Sequence, residues 1–218
     1  MKQSLMVLLI ACLILMHWDN IPVYATANNA TDFDYKKINN NLEIEITQYK
    51  GITKEVVIPD TIDNLPVTSI GEGAFVNNQL TSIEFPSSLG SIGKVAFMGN
   101  QLTSIKFSDN LTSIGESAFV NNRLTSIEFP SGLESIGRAA FMNNQLMSIE
   151  FPDNLKSIGG TAFASNQLTS IEFPSSLESI GESVFMNNQL TSIEFPSSLE
   201  SIGESSFVNN PLTSIEFT

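Results

Sequence analysis

A 22-residue period runs through most of this chain and restricts it to folds that stack one unit on the next. Phe75, Phe97, Phe119, Phe141, Phe163, Phe185 and Phe207 stand 22 residues apart, and Ile83, Ile105, Ile127, Ile149, Ile171, Ile193 and Ile215 keep the same interval. One unit, read from Leu80, is LTSIEFPSSLGSIGKVAFMGNQ, and later copies change only a few positions. Self-similarity at this length marks a solenoid, in which a repeat contacts its neighbours and cannot stand alone.

Inside a unit, Leu80, Ile83 and Phe85 form L-x-x-I-x-F. The alternation predicts a short strand with one buried face. Pro86, followed by Ser87 and Ser88, ends it, because proline cannot donate to a ladder. Leu89, Ile92, Ala96 and Phe97 form a second apolar set, with Gly93 expected where the chain turns. The unit therefore predicts one short parallel strand per repeat, little helix, and a rise of about 4.8 Å per turn.

Charge and rare residues narrow the chemistry. The net charge is -13, with no cluster of Lys or Arg. That excludes nucleic acid, whose phosphates need a basic surface, and suits a basic protein, a cation or a neutral glycan. The single cysteine, Cys12, and the single histidine, His17, both lie in the first apolar run. Residues 1–27 read as a signal peptide: Lys2 opens it, 5–16 are apolar, and Ala25-Thr26-Ala27 offers a cleavage site. The run is short for a membrane span, so none is expected after cleavage. Leu9-Ile10-Ala11-Cys12 looks like a lipid-attachment sequence, but the apolar run continues past Cys12. Removal of this segment leaves no thiol, no imidazole and no expected cofactor.

Residues 28–66 differ from the repeats, which occupy 67–218. They are expected to form a flexible lead-in over 27–32 and then an N-terminal β cap. Strands are predicted over 33–38 and 42–46, joined by Asn39, Asn40 and Asn41, with a third over 56–58. A cap of this kind covers the first turn of a solenoid.

Asn78, Asn100, Asn122, Asn144, Asn166, Asn188 and Asn210 recur once per copy. They are expected as a structural ladder, each amide bonding the backbone of a recurring bend and its neighbours. Met98, Met142 and Met186 share a position with Val120, Ala164 and Val208, as packing residues would.

Units such as residues 111–130, LTSIGESAFVNNRLTSIEFP, resemble the BspA-like leucine-rich repeats of bacterial surface and secreted proteins, and residues 42–75 look like the segment that opens such arrays. The resemblance implies a right-handed leucine-rich-repeat solenoid with its strands on the concave face. It also implies a role in adhesion, surface recognition or protein–protein contact, without implying a particular ligand. Members often carry an anchor or another domain after the array. Here the array is expected to end within a repeat at Thr218 without a cap, exposing Leu212, Ile215 and Phe217 and inviting end-to-end self-association.

The outward positions of the strands are the candidate partner-binding column: Ser82, Glu84, Ser104, Lys106, Ser126, Glu128, Ser148, Glu150, Ser170, Glu172, Ser192, Glu194 and Glu216. Neighbouring carboxylates in register lie about 5 Å apart. A glycosidase pair has similar spacing, yet every turn repeats one carboxylate with no distinct acid and no pocket, so no catalytic residue and no metal site is assigned. The column is either a solvated face that discourages strand pairing, or a surface for a basic partner or calcium. A second column, Glu72, Lys94, Glu116, Arg138, Gly160, Glu182 and Glu204, alternates in sign at first, as surface ion pairs would. No repeat shows a local departure suited to one small ligand. The sequence thus predicts a secreted or cell-surface, non-catalytic protein that binds an extracellular protein or glycan. The alternative is a spacer, or a piece of a larger surface protein, with no ligand of its own.

Overall fold

The computed structural model describes residues 26–217. The signal-peptide expectation falls almost wholly on residues outside this range. The described chain is a β-solenoid with coils every 22 residues, parallel strand pairing between coils, and one 3-10 turn, Ala30–Asp32, as its only helical element.

Two columns of phenylalanine run through it. Phe119 stacks on Phe97 at 5.2 Å and on Phe141 at 5.4 Å, and Phe141 stacks on Phe163 at 5.5 Å, all four fully buried. The strand phenylalanines form the second column, with Phe107, Phe129 and Phe151 spaced 6.1 and 6.3 Å apart. Edge-to-face contacts join the columns, as where Phe129 meets Phe141 at 5.6 Å. The solenoid dictates the near-parallel stacking within a column, and the tilted contacts between columns satisfy the ring quadrupoles. Leu80, Ile83, Leu89, Ile92 and Ala96 fill the remaining interior, and their copies do the same until the last turn. There Ile202, Ile215 and Phe217 are exposed.

The expected strands are present at Ser82–Glu84, Ser104–Lys106, Ser126–Glu128, Ser192–Phe195 and Ser214–Phe217. A second parallel ladder, which the sequence reading lacked, runs through the serine–isoleucine pairs. Ser91–Ile92, Ser113–Ile114, Ser135–Ile136, Ser157–Ile158, Ser179–Ile180 and Ser201–Ile202 pair in register, copy to copy. A two-residue strand carries too little alternation to show in sequence; only the neighbouring turn defines it.

Gly93 and its copies also play a different part from the one expected. They do not adopt left-handed backbone; a Cβ on Gly115 would lie 2.6 Å from the carbonyl carbon of Gly93, and one on Gly137 2.7 Å from that of Gly115. The glycines let one turn's backbone rest on the next. The bend itself is made two residues later by Val95, Ser117, Ala139, Thr161, Ser183 and Ser205, all with φ between 50° and 60°.

At the amino end, β1 (Phe33–Ile38) and β2 (Glu43–Tyr49) form an antiparallel hairpin whose Asn39, Asn40 and Asn41 are left-handed. Leu42, expected inside the second strand, lies in the turn and is exposed. β3 (Glu55–Val57) pairs with the first repeat strand. β4 (Thr61–Ile62) and β5 (Leu65–Ile70) make a further hairpin through left-handed Asp63 and Asn64. That Asp-Asn pair suits a tight primed turn. β2 then pairs in parallel with β5, which leads the serine–isoleucine ladder. Tyr49 closes the central column by stacking on Phe75 at 5.4 Å, with Phe33 against it at 5.5 Å, while its hydroxyl donates to the Thr53 carbonyl. Asn28, placed by the sequence reading in a loose lead-in, exchanges two hydrogen bonds with Val57: its amide donates to the Val57 carbonyl, and its Oδ1 accepts from the Val57 amide.

Candidate functional site

Parallel pairing fixes the candidate column in register. Ser126 and Glu128 lie opposite Ser104 and Lys106, Glu150 pairs with Glu128 on one side and Glu172 on the other, and Glu194 lies opposite Glu216. Because side chains alternate along a strand, Ile83 and its copies turn inward, and the serines and the charged residues turn out. All thirteen residues of the predicted column are exposed, and the structure brings them onto one Ser–Glu face. The ion pairs of the repeats lie off this face. Lys94 and Glu116 of the alternating column meet at 3.2 Å, and Lys156 meets Glu134 at 3.1 Å. Exposed pairs of this kind contribute at most about 1 kcal/mol each.

Shallow depressions open between successive turns along the face. The largest, about 440 Å³, is lined by Ser148, Glu150, Phe151, Asp153, Ser170, Glu172 and the ring of Phe173. Its neighbour carries Glu172, Phe173 and Glu194, so one rim is shared. Phe151 and Phe173 are half-buried and present part of their rings to the groove.

Here the expectation of a face without local departures needs correction. Met147, more than half exposed, replaces the threonine found at Thr81, Thr103, Thr125, Thr169, Thr191 and Thr213. Asp153 stands where Ser131 and Ser175 stand in the adjacent turns. Both changes fall on the pair of turns that forms the largest depression. Met147 and Asp153 were legible as deviations from the period; what sequence could not show is that Asp153 shares a groove with Phe151 and Phe173.

The asparagine row lies elsewhere, inside the bends. Asn122 accepts from the Leu102 amide at 3.2 Å and donates to the carbonyls of Phe97 at 2.9 Å and Phe119 at 3.2 Å. The pattern repeats at Asn100, Asn144, Asn166, Asn188 and Asn210. Asn78, on the first repeat beside the cap, is half-buried and bonds the Val76 carbonyl. The amides bond backbone and not one another. A separate exposed column does form amide–amide bonds, Asn143 to Asn121 at 2.6 Å and Asn209 to Asn187 at 2.7 Å.

The chemistry available on the Ser–Glu face is hydrogen bonding, negative charge and partly exposed aromatic surface. Apart from the turn of Lys106, each turn offers the same exposed carboxylate at this position. Among the described residues, no three His, Cys, Asp or Glu side chains converge on a metal position, and no helix is long and apolar enough to cross a membrane.

Comparison with known proteins places this geometry. The family model described as BspA type leucine rich repeat region matches residues 43–166 and 112–218, with six copies. A leucine rich repeat protein of T. pallidum is 28% identical, with a TM-score of 0.70 over 88% of this chain and 86% of that one. A leucine rich cell surface protein from Faecalibacterium prausnitzii A2-165 is 22% identical, with a TM-score of 0.66 over 89% of this chain and 55% of that one. YopM from Yersinia enterocolitica WA-314 is 21% identical, with a TM-score of 0.53 over 74% of this chain and 33% of that one. The last two likenesses concern the fold alone. No curated protein sequence matches the chain.

Proposed function

The chain belongs to the BspA-type leucine-rich-repeat family, and from that membership we propose that it is a non-catalytic interaction protein of the bacterial cell surface or its surroundings, meeting an extracellular protein or glycan through its Ser–Glu face. Leucine-rich repeats are interaction scaffolds, since stacking turns generates an extended surface larger than one small ligand needs. The observation that carries the proposal is the in-register row of exposed serines and glutamates, continued from turn to turn and interrupted at Lys106. A uniform row suits a long partner, because contacts repeat at fixed intervals along it. It does not suit catalysis, which needs groups of unlike protonation state in a water-excluding pocket.

The test is to immobilise the purified protein and pass over it a panel of extracellular-matrix proteins and surface glycans. Specific retention of a panel member supports an interaction role, and its loss when Glu150, Glu172 and Glu194 become Gln assigns the role to this face. Retention that survives the triple substitution refutes the face. Retention of nothing refutes the interaction role and favours a spacer.

A further inference from the structure

We propose, on the reading of the Ser–Glu face as the interaction surface, that the depression between the turns of Glu150 and Glu172 receives an arginine side chain from an extended basic segment of the partner protein. The groove has an apolar floor and an acidic rim, a combination that suits a cation carried on an apolar stem. The rings of Phe151 and Phe173 form the floor, nearly parallel with centroids 6.0 Å apart. Glu150, Glu172 and Asp153 supply three exposed carboxylates around them.

Arginine matches these parts one by one. Its planar guanidinium forks onto carboxylates and is weakly enough hydrated to settle over the exposed parts of the rings, whereas the lysine ammonium is a strongly hydrated point charge. Its three-carbon stem is apolar and packs against the half-buried rings of Phe151 and Phe173. The charge around the groove selects the same partner. After Lys156 the sequence has no Lys or Arg, while Glu172, Glu178, Glu182, Glu194, Glu200 and Glu204 follow. The end of the array beyond Lys156 is therefore uniformly negative, and a basic segment is steered toward it. Lys106 interrupts the row on the other side, so the footprint extends from Glu128 toward Glu216.

The measurement is fluorescence anisotropy of a labelled extended peptide carrying spaced arginines, with matched lysine and glutamate peptides. The arginine peptide is expected to bind, the lysine peptide about fivefold more weakly, and the glutamate peptide not at all. Asp153→Ser restores the residue of the adjacent turns and should leave the fold intact. This variant is expected to weaken the arginine peptide about threefold or more, while Glu182→Gln leaves it unchanged. Equal affinity for arginine and lysine, with Asp153→Ser without effect, overturns the proposal in favour of diffuse charge attraction. Absence of arginine-peptide binding also overturns it. If a glycan or matrix protein is nevertheless retained and then lost with Glu150, Glu172 and Glu194 replaced by Gln, the face stands and only the arginine assignment falls.

Discussion

The side-chain amide of Asn144 donates to the carbonyl oxygen of Phe119, 25 residues earlier, at 2.9 Å. It also donates to the Phe141 carbonyl at 3.1 Å, while its Oδ1 accepts from the Leu124 amide at 3.1 Å. One buried side chain thus satisfies backbone groups of two successive turns.

Asn144→Ala leaves those three buried groups without their partner and is expected to cost about 3 kcal/mol or more. Asn154→Ala, which removes one exposed bond to the Ser131 carbonyl, should cost under about 1 kcal/mol. Denaturant titration compares the two. Asn144→Asp adds a pH signature. The introduced carboxylate faces two carbonyl oxygens, which disfavour its ionised form and raise its folded-state pKa. That variant should be most stable in acid and lose stability as pH rises through the raised value. Stability that instead increases with pH would mean that the ionised form finds donors there.

Gly137→Ala tests the close approach of turns. The added methyl would lie 2.7 Å from the Ile114 carbonyl oxygen, which cannot move without the ladder, so a loss of about 1–3 kcal/mol is expected. Gly132→Ala meets nothing nearer than the Asp109 carbonyl oxygen at 4.0 Å and should be neutral or slightly stabilising. Similar melting temperatures for the two variants would contradict the contact.

Phe141→Ala empties a fully buried position between two stacked rings and should cost about 3–5 kcal/mol. Glu150→Gln, on the exposed face beside two like charges, should change stability by less than about 0.5 kcal/mol or raise it slightly. Equal effects in a denaturant titration would mean that the inner and outer faces are exchanged.

Val95 holds φ at 50°, a conformation unfavourable for a β-branched residue. Val95→Asn is expected to stabilise the protein by up to about 1 kcal/mol, read as a higher melting temperature. A lower one would show that packing of the half-buried valine outweighs its backbone strain.

The legible and illegible parts of the sequence divide by where the defining contact lies. The Phe75-to-Phe207 column and the Ser-Ile-Glu strands follow from one unit and its period. The serine–isoleucine ladder does not, because Ser91 and Ile92 become a strand only through Ser113 and Ile114 of the next turn. Gly93 was legible as important but misread as a bend, since its contact is the backbone of Gly71 and Glu72. At the candidate site, the Ser–Glu row was readable from alternation alone. The groove at Asp153 was not, because Phe151 and Phe173 come from different turns and their partial exposure depends on how those turns stack.

The most direct test of the Ser–Glu face compares two triple substitutions of equal charge. Glu150, Glu172 and Glu194 become Gln in one variant; Glu182, Glu200 and Glu204, exposed residues away from that face, become Gln in the other. Binding of each to the retained panel member is measured by surface plasmon resonance at fixed salt. The expected result is a loss of about tenfold or more for the first set and under about twofold for the second. Equal losses from the two sets would contradict the assignment, since binding would then follow net charge and not this face.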